Sequence, residues 1–390
     1  MMGTQTDQPT ETASPSTVGA TFYSLLDAVD SESISNDFEI GTYTAKHDFN
    51  NHLKVAIFEG VHPSDSLDEL DEKTGTYDEL AYMAGSTFSR LTNDRDYRAV
   101  VRLFFELLHS PQLYHQRSVQ RKLLDWLERA VVATDATNLS VSRSIKIASE
   151  SDDTEVRRVI QPGEKSLHLN VAARVDCDAK QPLGVTLTPG VMREPTQFEH
   201  LQRDVEVFAD LDSPIHVYDR GYLDYDRFCT LKEQGKDFIC LLQVDARVDV
   251  LEQFQDVEIT DEQGTRHVRD ERIELAETGE EFRRIVFEDV DGEELAYLTT
   301  VSSEYAPVEV MSIYTLRTMI EILCRELKQY TSIENFHSKS LNGVLFELFC
   351  TLIGYVLVEW FRQRHPLRGG VPEAIRTTRT RWNTSLRTYG

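Results

Sequence analysis

Four residues carry the strongest chemical pattern in this sequence: Tyr314, Arg317, Glu321 and Lys328, the last three offset by three, seven and fourteen positions from the tyrosine. At about 100° per residue those steps return to nearly one angle, so a helix would carry all four groups along one side. Leu316, Ile320, Leu323 and Leu327 form a separate apolar stripe in the same segment, the face expected to bury. Such a helix would present a carboxylate flanked by a phenol and two cations. A carboxylate that holds a metal ion beside cations that hold phosphate is what phosphodiester chemistry requires. The same spacing also suits an i,i+4 ion-pair ladder, Arg317 to Glu321 and Glu321 to Arg325, on a solvated face.

The elements that would position a site lie upstream. Residues 130–134 (AVVAT) form a short β-branched run ending at Asp135, and 166–175 (SLHLNVAARV) and 183–187 (LGVTL) alternate as strands. Residues 197–211 read as an amphipathic helix, 215–218 (IHVY) as a strand ending at Asp219, 226–234 as a helix and 237–244 (DFICLLQV) as a buried strand. This order predicts a mixed α/β sheet. Asp135 and Asp219 would then sit at strand ends, where ligands collect, on strands about 4.8 Å apart. Joined by Glu321, they could hold two divalent ions about 3.5–4 Å apart, one activating a water or a 3′ hydroxyl and the other stabilising the leaving oxygen. Oxygen donors with no soft ligand favour Mg2+ or Mn2+. Each acid also fits a plain turn: Asp135-Ala-Thr-Asn by Asx chemistry, and Asp219-Arg220-Gly221 as a tight turn closed by glycine.

Around this core the composition changes. Residues 1–19 are polar and expected to be disordered. Residues 20–129 read as a helical domain, with 97–108 (YRAVVRLFFELL) and 118–129 (SVQRKLLDWLER) as amphipathic helices capped by Asp94 and Ser118. The core would comprise 130–246 and 306–361, interrupted by a β-rich insertion at 247–305. The tail at 362–390 holds seven arginines against one acid, Glu373. It reads either as a basic patch or as a solubilising tail.

The formal net charge is -25 with a pI near 4.8. Taken alone this argues against a nucleic-acid partner. In multimolar salt, however, the Debye length falls to about 3 Å or less and bulk repulsion is screened, so the charge reads as a sign of a salt-loaded cytoplasm. Five scattered cysteines with no C-x-x-C and no zinc-finger histidine pair read as buried thiols in a reducing compartment. The polar opening predicts no signal peptide. The apolar run 341–361 contains Asn342, Glu347 and Glu359, so it reads as a core helix and not a membrane span.

In order along the chain, Asp135-Ala-Thr, Lys165-Ser-Leu-His-Leu, Asp219-Arg-Gly-Tyr and the Tyr314/Arg317/Glu321/Lys328 set resemble the motifs of DDE transposases. The similarity is to cut-and-paste enzymes of insertion sequence family four, including haloarchaeal members. The resemblance implies a ribonuclease-H-like core with a β insertion before the glutamate helix, preceded by a helical DNA-contacting domain. It implies Asp135, Asp219 and Glu321 as the metal-binding catalytic triad, and Tyr314, Arg317 and Lys328 as grips on the phosphates of the transposon end. Arg220 would contact DNA or the triad, or form a structural ion pair. The implied partners are double-stranded DNA, as terminal repeats and target, and a second copy of the chain in a dimer on DNA. The implied location is the cytoplasm with the nucleoid, away from membranes. Similar enzymes also form a hairpin intermediate, with a flipped base stacked on a tryptophan of the insertion. Here Trp126, Trp360 and Trp382 all lie outside it, leaving Tyr297 or Tyr305 as stacking faces. The other readings are a ribonuclease-H-like nuclease without strand transfer, a catalytically silent DNA-binding remnant, and an acidic interaction protein without a nucleic-acid role.

Overall fold

The computed structural model describes residues 17–384, apart from 41–46, 111, 114–120, 141–165, 190–200, 204, 206–210, 244–245, 262–263, 290, 366 and 368. Among the described residues, six helices precede the sheet: α1 (Val18–Tyr23), α2 (Ser31–Asp37), α3 (Phe49–Val61), α4 (Leu67–Thr76), α5 (Gly85–Asp94) and α6 (Tyr97–Leu108). Five of the caps expected of such sequences are present as hydrogen bonds. Thr17, Asp30, Asp48, Ser66 and Asp96 each accept a first-turn backbone N–H. The cap of α6 is thus Asp96 and not Asp94, which ends α5.

Residues 121–130 are not helical. Their backbone is taken by the turn after the second strand, with Leu123 N donating to Asp176 O (2.8 Å) and Asp178 N to Arg121 O (3.1 Å). Lys122 Nζ occupies the carbonyls of Leu127 and Glu128. These non-local bonds outweigh helix propensity, and Leu123 and Trp126 of the amphipathic pattern are left exposed. The expected cap Ser118 lies outside the described residues.

Nine strands form one sheet: β1 (Val131–Ser140), β2 (Ser166–Arg174), β3 (Gln181–Pro189), β4 (Ile215–Tyr218), β5 (Asp237–Leu241), β6 (Val248–Asp261), β7 (Gly264–Leu275), β8 (Glu281–Glu288) and β9 (Glu294–Thr299). Their order is β3-β2-β1-β4-β5-β9-β8-β7-β6. β1, β4 and β5 are parallel, while β2 runs antiparallel beside β1 and β3 antiparallel beside β2. This is the mixed sheet of a ribonuclease-H-like fold. Residues 247–305 supply the four strands β6–β9, which continue that sheet through β9 on β5. β1 does not stop at Asp135 but runs on to Ser140, because its antiparallel partner β2 extends to Ser166.

Alternation buries both faces. Val131, Ala133, Val217 and Ile239 belong to the main core, while Val132, Ala172 and Leu183 meet Leu201 and Val205, described residues of the helix expected at 197–211. Helix α7 (Tyr225–Glu233) puts Phe228 on Phe238 of β5, ring centroids 4.4 Å apart. Helices α8 (Pro307–Thr315), α9 (Thr318–Tyr330), α10 (Leu341–Arg364) and α11 (Gly370–Thr380) follow. The apolar run is α10, long and apolar enough to cross a membrane, yet with 89% of its most apolar window buried in the fold. It is surrounded by α1, α3, α5, α6 and α11, so the N-terminal helices share one core with it. Residues 370–384 are folded rather than a free tail. The Trp382 ring packs against Phe22, Tyr23 and Phe58, and its Nε1 donates to Asp78 O at 2.5 Å.

Candidate active site

Parallel register brings the first two acids together. β1 and β4 pair from Val131↔Ile215 to Thr134↔Tyr218, so Asp135 and Asp219 each stand one residue past the last pair, on strands about 4.8 Å apart. Asp135 accepts its own neighbour's N–H (Ala136, 2.8 Å) through Oδ1. Glu321 arrives on the first turn of α9, which packs on β1. Ile320, Leu323 and Leu327 are fully buried beneath α9, as their stripe predicts. The far side of α9 is held by Glu326, which accepts Tyr355 Oη at 2.7 Å and pairs with Lys180 at 3.4 Å.

The four-residue motif does not lie on one continuous helix. Tyr314 is in α8, and Arg317 is the N-cap residue of α9, with three-residue closures from Leu316 N to Ile313 O (3.1 Å), Arg317 N to Tyr314 O (2.9 Å) and Ile320 N to Arg317 O (3.1 Å). Closures of that kind eclipse residues three apart. They bring the Arg317 guanidinium over the Tyr314 ring, 5.9 Å from its centroid. The tightening has a purpose that straight helical spacing hides: it turns Arg317 into the middle of the acids. Its Nη2 is 2.6 Å from Glu321 Oε1 and 3.8 Å from Asp219 Oδ1, and its Nη1 is 3.7 Å from Asp135 Oδ2. Burial works against the Arg317 charge, but Tyr314, Asp219, Glu321 and Asp135 together raise its pKa above the usual arginine value.

Beneath the acids the surroundings are buried, whereas Asp219 and Glu321 are each 41% exposed. Tyr314 is 8% exposed, and its Oη has no hydrogen-bond partner among the described residues. Burial drives its pKa up, with Arg317 opposing. Tyr297 meets the Tyr314 ring edge-on at 5.1 Å. Beneath the acids, burial first and then Asp135 and Glu321 push the Cys324 thiol up to about 12, with Lys328 opposing. Burial and Asp219 raise Cys240 likewise. Both act as small neutral core residues.

Lys328 is half-buried, and Arg220 is exposed in the short 3-10 turn after Asp219. Neither makes an ion pair among the described residues, and neither does Arg325, so Arg317–Glu321 is the one rung of the expected ladder that forms. It forms on a half-buried site rather than a solvated face. The two tyrosines of residues 247–305 offer no free face beside the acids. Tyr297 is 2% exposed. Tyr305 lies past the far end of β9, against Trp126, which precedes β1. Lys165 lies outside the described residues. What sequence reasoning missed is the placement of Arg317 between all three acids. Only its contact with Glu321 has a local signal.

The donor set suits a hard divalent cation: three carboxylates, no soft ligand exposed to them, and one cation already within 4 Å of all three. They do not form a ready-made cage, since no group of three or more His, Cys, Asp or Glu among the described residues is spaced to close on one ion. Arg317 instead lies between them.

Two named proteins and one family are similar to this chain. A protein of Sinorhizobium fredii named as transposase y4zB is 26% identical over 148 residues, covering 37% of this chain and 41% of its own length. One of Geobacillus stearothermophilus, named as a transposase for insertion sequence element IS5377, is 22% identical over 188 residues, or 46% of this chain and 45% of its own length. The chain thus spans less than half the length of either relative. The model of the family described as Transposase DDE domain matches residues 126–357, which is more than half of the chain and runs from before β1 into α10, with all three acids. The chain belongs to the DDE transposase domain family.

Proposed function

We propose that this protein is a transposase of the haloarchaeal type of insertion sequence family four, which binds the ends of its element and cuts and rejoins DNA there. The observation that supports this most directly is the convergence of Asp135, Asp219 and Glu321 on one guanidinium. Three acids from three elements come together at the end of a parallel strand pair, a costly arrangement unless a cation is to be held. Two Mg2+ or Mn2+ ions bound there would supply activation of the attacking hydroxyl and stabilisation of the leaving oxygen.

The chain's own residues do the rest. Tyr314, Arg317 and Lys328 line the approach along α8 and α9 and take the phosphates of the element's end, and exposed Arg220 takes a neighbouring phosphate. Catalysis is positional and electrostatic, without a covalent protein intermediate. Residues 20–129 form the DNA-contacting part, 130–246 with 306–361 the catalytic core, and 247–305 the insertion. Holding two ends together requires a dimer on DNA, and the enzyme works at the nucleoid in the cytoplasm. The charge of -25 is compatible with DNA when salt screens it.

The test is Mg2+-dependent cleavage of a supercoiled plasmid carrying the element's ends, in high KCl, by wild type and Glu321→Ala. End-specific cleavage followed by joining, lost in the variant, is the expected result. Cleavage without joining would make the protein a nuclease. Binding to the ends without cleavage by either protein would make it a silent DNA-binding remnant.

A further inference from the structure

We propose that Arg317 is a resident counter-ion of the three carboxylates, which a divalent cation must displace and which is thereby released to phosphate. The inference rests on the reading of Asp135, Asp219 and Glu321 as the ion-binding site. It adds that the site is closed by its own arginine until the ion arrives.

The argument begins with charge. Three carboxylates at the end of a mostly buried sheet repel one another, and among the described residues Arg317 is the cation within 4 Å of all three, with both terminal nitrogens committed to them. Its contacts are unequal: Glu321 at 2.6 Å is a close charge-assisted hydrogen bond, whereas Asp135 at 3.7 Å and Asp219 at 3.8 Å are loose. A divalent ion carries twice the charge and approaches carboxylate oxygen to about 2.1 Å, so its attraction per carboxylate is roughly three times greater at equal dielectric. An ion that enters must break three arginine contacts as well as shed its own water, so its affinity is lower than the bare acids would give.

Where the arginine goes is set by its anchor. The Tyr314 ring lies under the guanidinium at 5.9 Å and is itself held edge-on by Tyr297 at 5.1 Å. A guanidinium freed from the acids but kept over that ring stays at the site. Beside it the buried Tyr314 Oη has no partner among the described residues. A phosphate oxygen supplies an acceptor for both. Ion binding and phosphate binding are then coupled, and the coupling is reciprocal. DNA is gripped at this point only after the ion has entered, which keeps the ion-free protein from occupying its phosphate site unproductively.

The test measures Mn2+ affinity without DNA, by the paramagnetic resonance of free Mn2+, in wild type, Arg317→Ala, Arg317→Lys and Asp135→Asn, all checked for folding by circular dichroism. The expected result is Mn2+ binding about tenfold or more tighter in Arg317→Ala than in wild type, with Arg317→Lys between them, because a flexible point charge cannot span three acids. Mn2+ binding must be lost or greatly weakened in Asp135→Asn. Should Arg317→Ala misfold, Arg317→Lys alone carries the comparison, and equal affinity to wild type overturns the proposal. Unchanged or weaker Mn2+ binding in Arg317→Ala, with the Asp135→Asn loss intact, overturns the counter-ion role and leaves the site assignment standing. Absence of Mn2+ binding in every protein overturns both.

Discussion

Lys328 is the residue whose freedom matters most. It is half-buried two turns beyond Glu321 on α9 and makes no ion pair among the described residues, whereas Arg317 is fully engaged. Its ammonium is free to neutralise one phosphate, so Lys328→Ala should weaken binding to end DNA across all sequences. The slope of log affinity against log salt should fall by about 1 in filter-binding or anisotropy titrations, with Mn2+ affinity unchanged. Loss of Mn2+ binding in that variant would instead place Lys328 in the ion site. At this scale the positions of Asp135 and Asp219 were legible, since each follows a short apolar run that reads as a strand, and Glu321 stands on the helix its apolar stripe predicts. The Arg317–Glu321 contact was legible too, because i,i+4 neighbours are set by local geometry. The contacts of Arg317 with Asp135 and Asp219 join residues far apart in the chain, and no spacing announces them.

Between elements, α3 and α10 approach closely. A Cβ on Gly60 would meet Thr351 Cα at 2.8 Å, and one on Gly354 would meet Val61 Cγ1 at 2.7 Å. Backbone stands against backbone at Gly60, so there is no flexible side chain to yield. Gly60→Ala should therefore separate the helices and destabilise the protein by roughly 1–3 kcal/mol, read as a lower urea midpoint. An unchanged midpoint would mean that the crossing has slack. Strands β1, β2, β4 and β5 and helices α6, α7 and α10 could be read from periodicity alone, give or take their ends. The joint between α8 and α9 could not, because Leu316 and Arg317 are ordinary helix formers, and the break appears only as a change in hydrogen-bond closure. The described part of the helix expected at 118–129 has the opposite lesson: the apolar spacing of 121–129 is real, but its backbone partners at Asp176 and Asp178 are non-local.

For the molecule as a whole, buried histidines set the response to acid. Burial pushes His62 down to about 3 and His216 down to about 4, in each case with nearby cations adding to the effect. The folded state keeps both neutral while the unfolded chain protonates them near 6.5, so their contribution is complete above that pH and lost as pH falls. Each should remove roughly 1.4 kcal/mol per pH unit below 6.5, until its folded pKa is reached. His337 acts in the other sense: its hydrogen bond to Glu59 raises its pKa, so its contribution is present at low pH and lost as pH rises through the folded value. Urea unfolding at pH 7.5, 6 and 5 should show a falling midpoint, and His62→Gln should flatten the decline between pH 6.5 and 5. An unaltered slope in that variant would show that His62 is not the group responsible.

Alternating strands, the amphipathic and apolar helices, the acids at strand ends and the motif around Glu321 were determined by the sequence, because each rests on residues within a few positions of one another. Tertiary structure alone decided four other things. Residues 247–305 extend the core sheet rather than stand beside it, Trp382 closes the C-terminal segment onto α1 and α3, and the N-terminal helices share their core with α10. The fourth is Arg317, drawn to the centre of three carboxylates. Pairing partners, shared cores and the meeting of distant charges depend on where the chain returns, and that is a property of the packed molecule and not of any window along it.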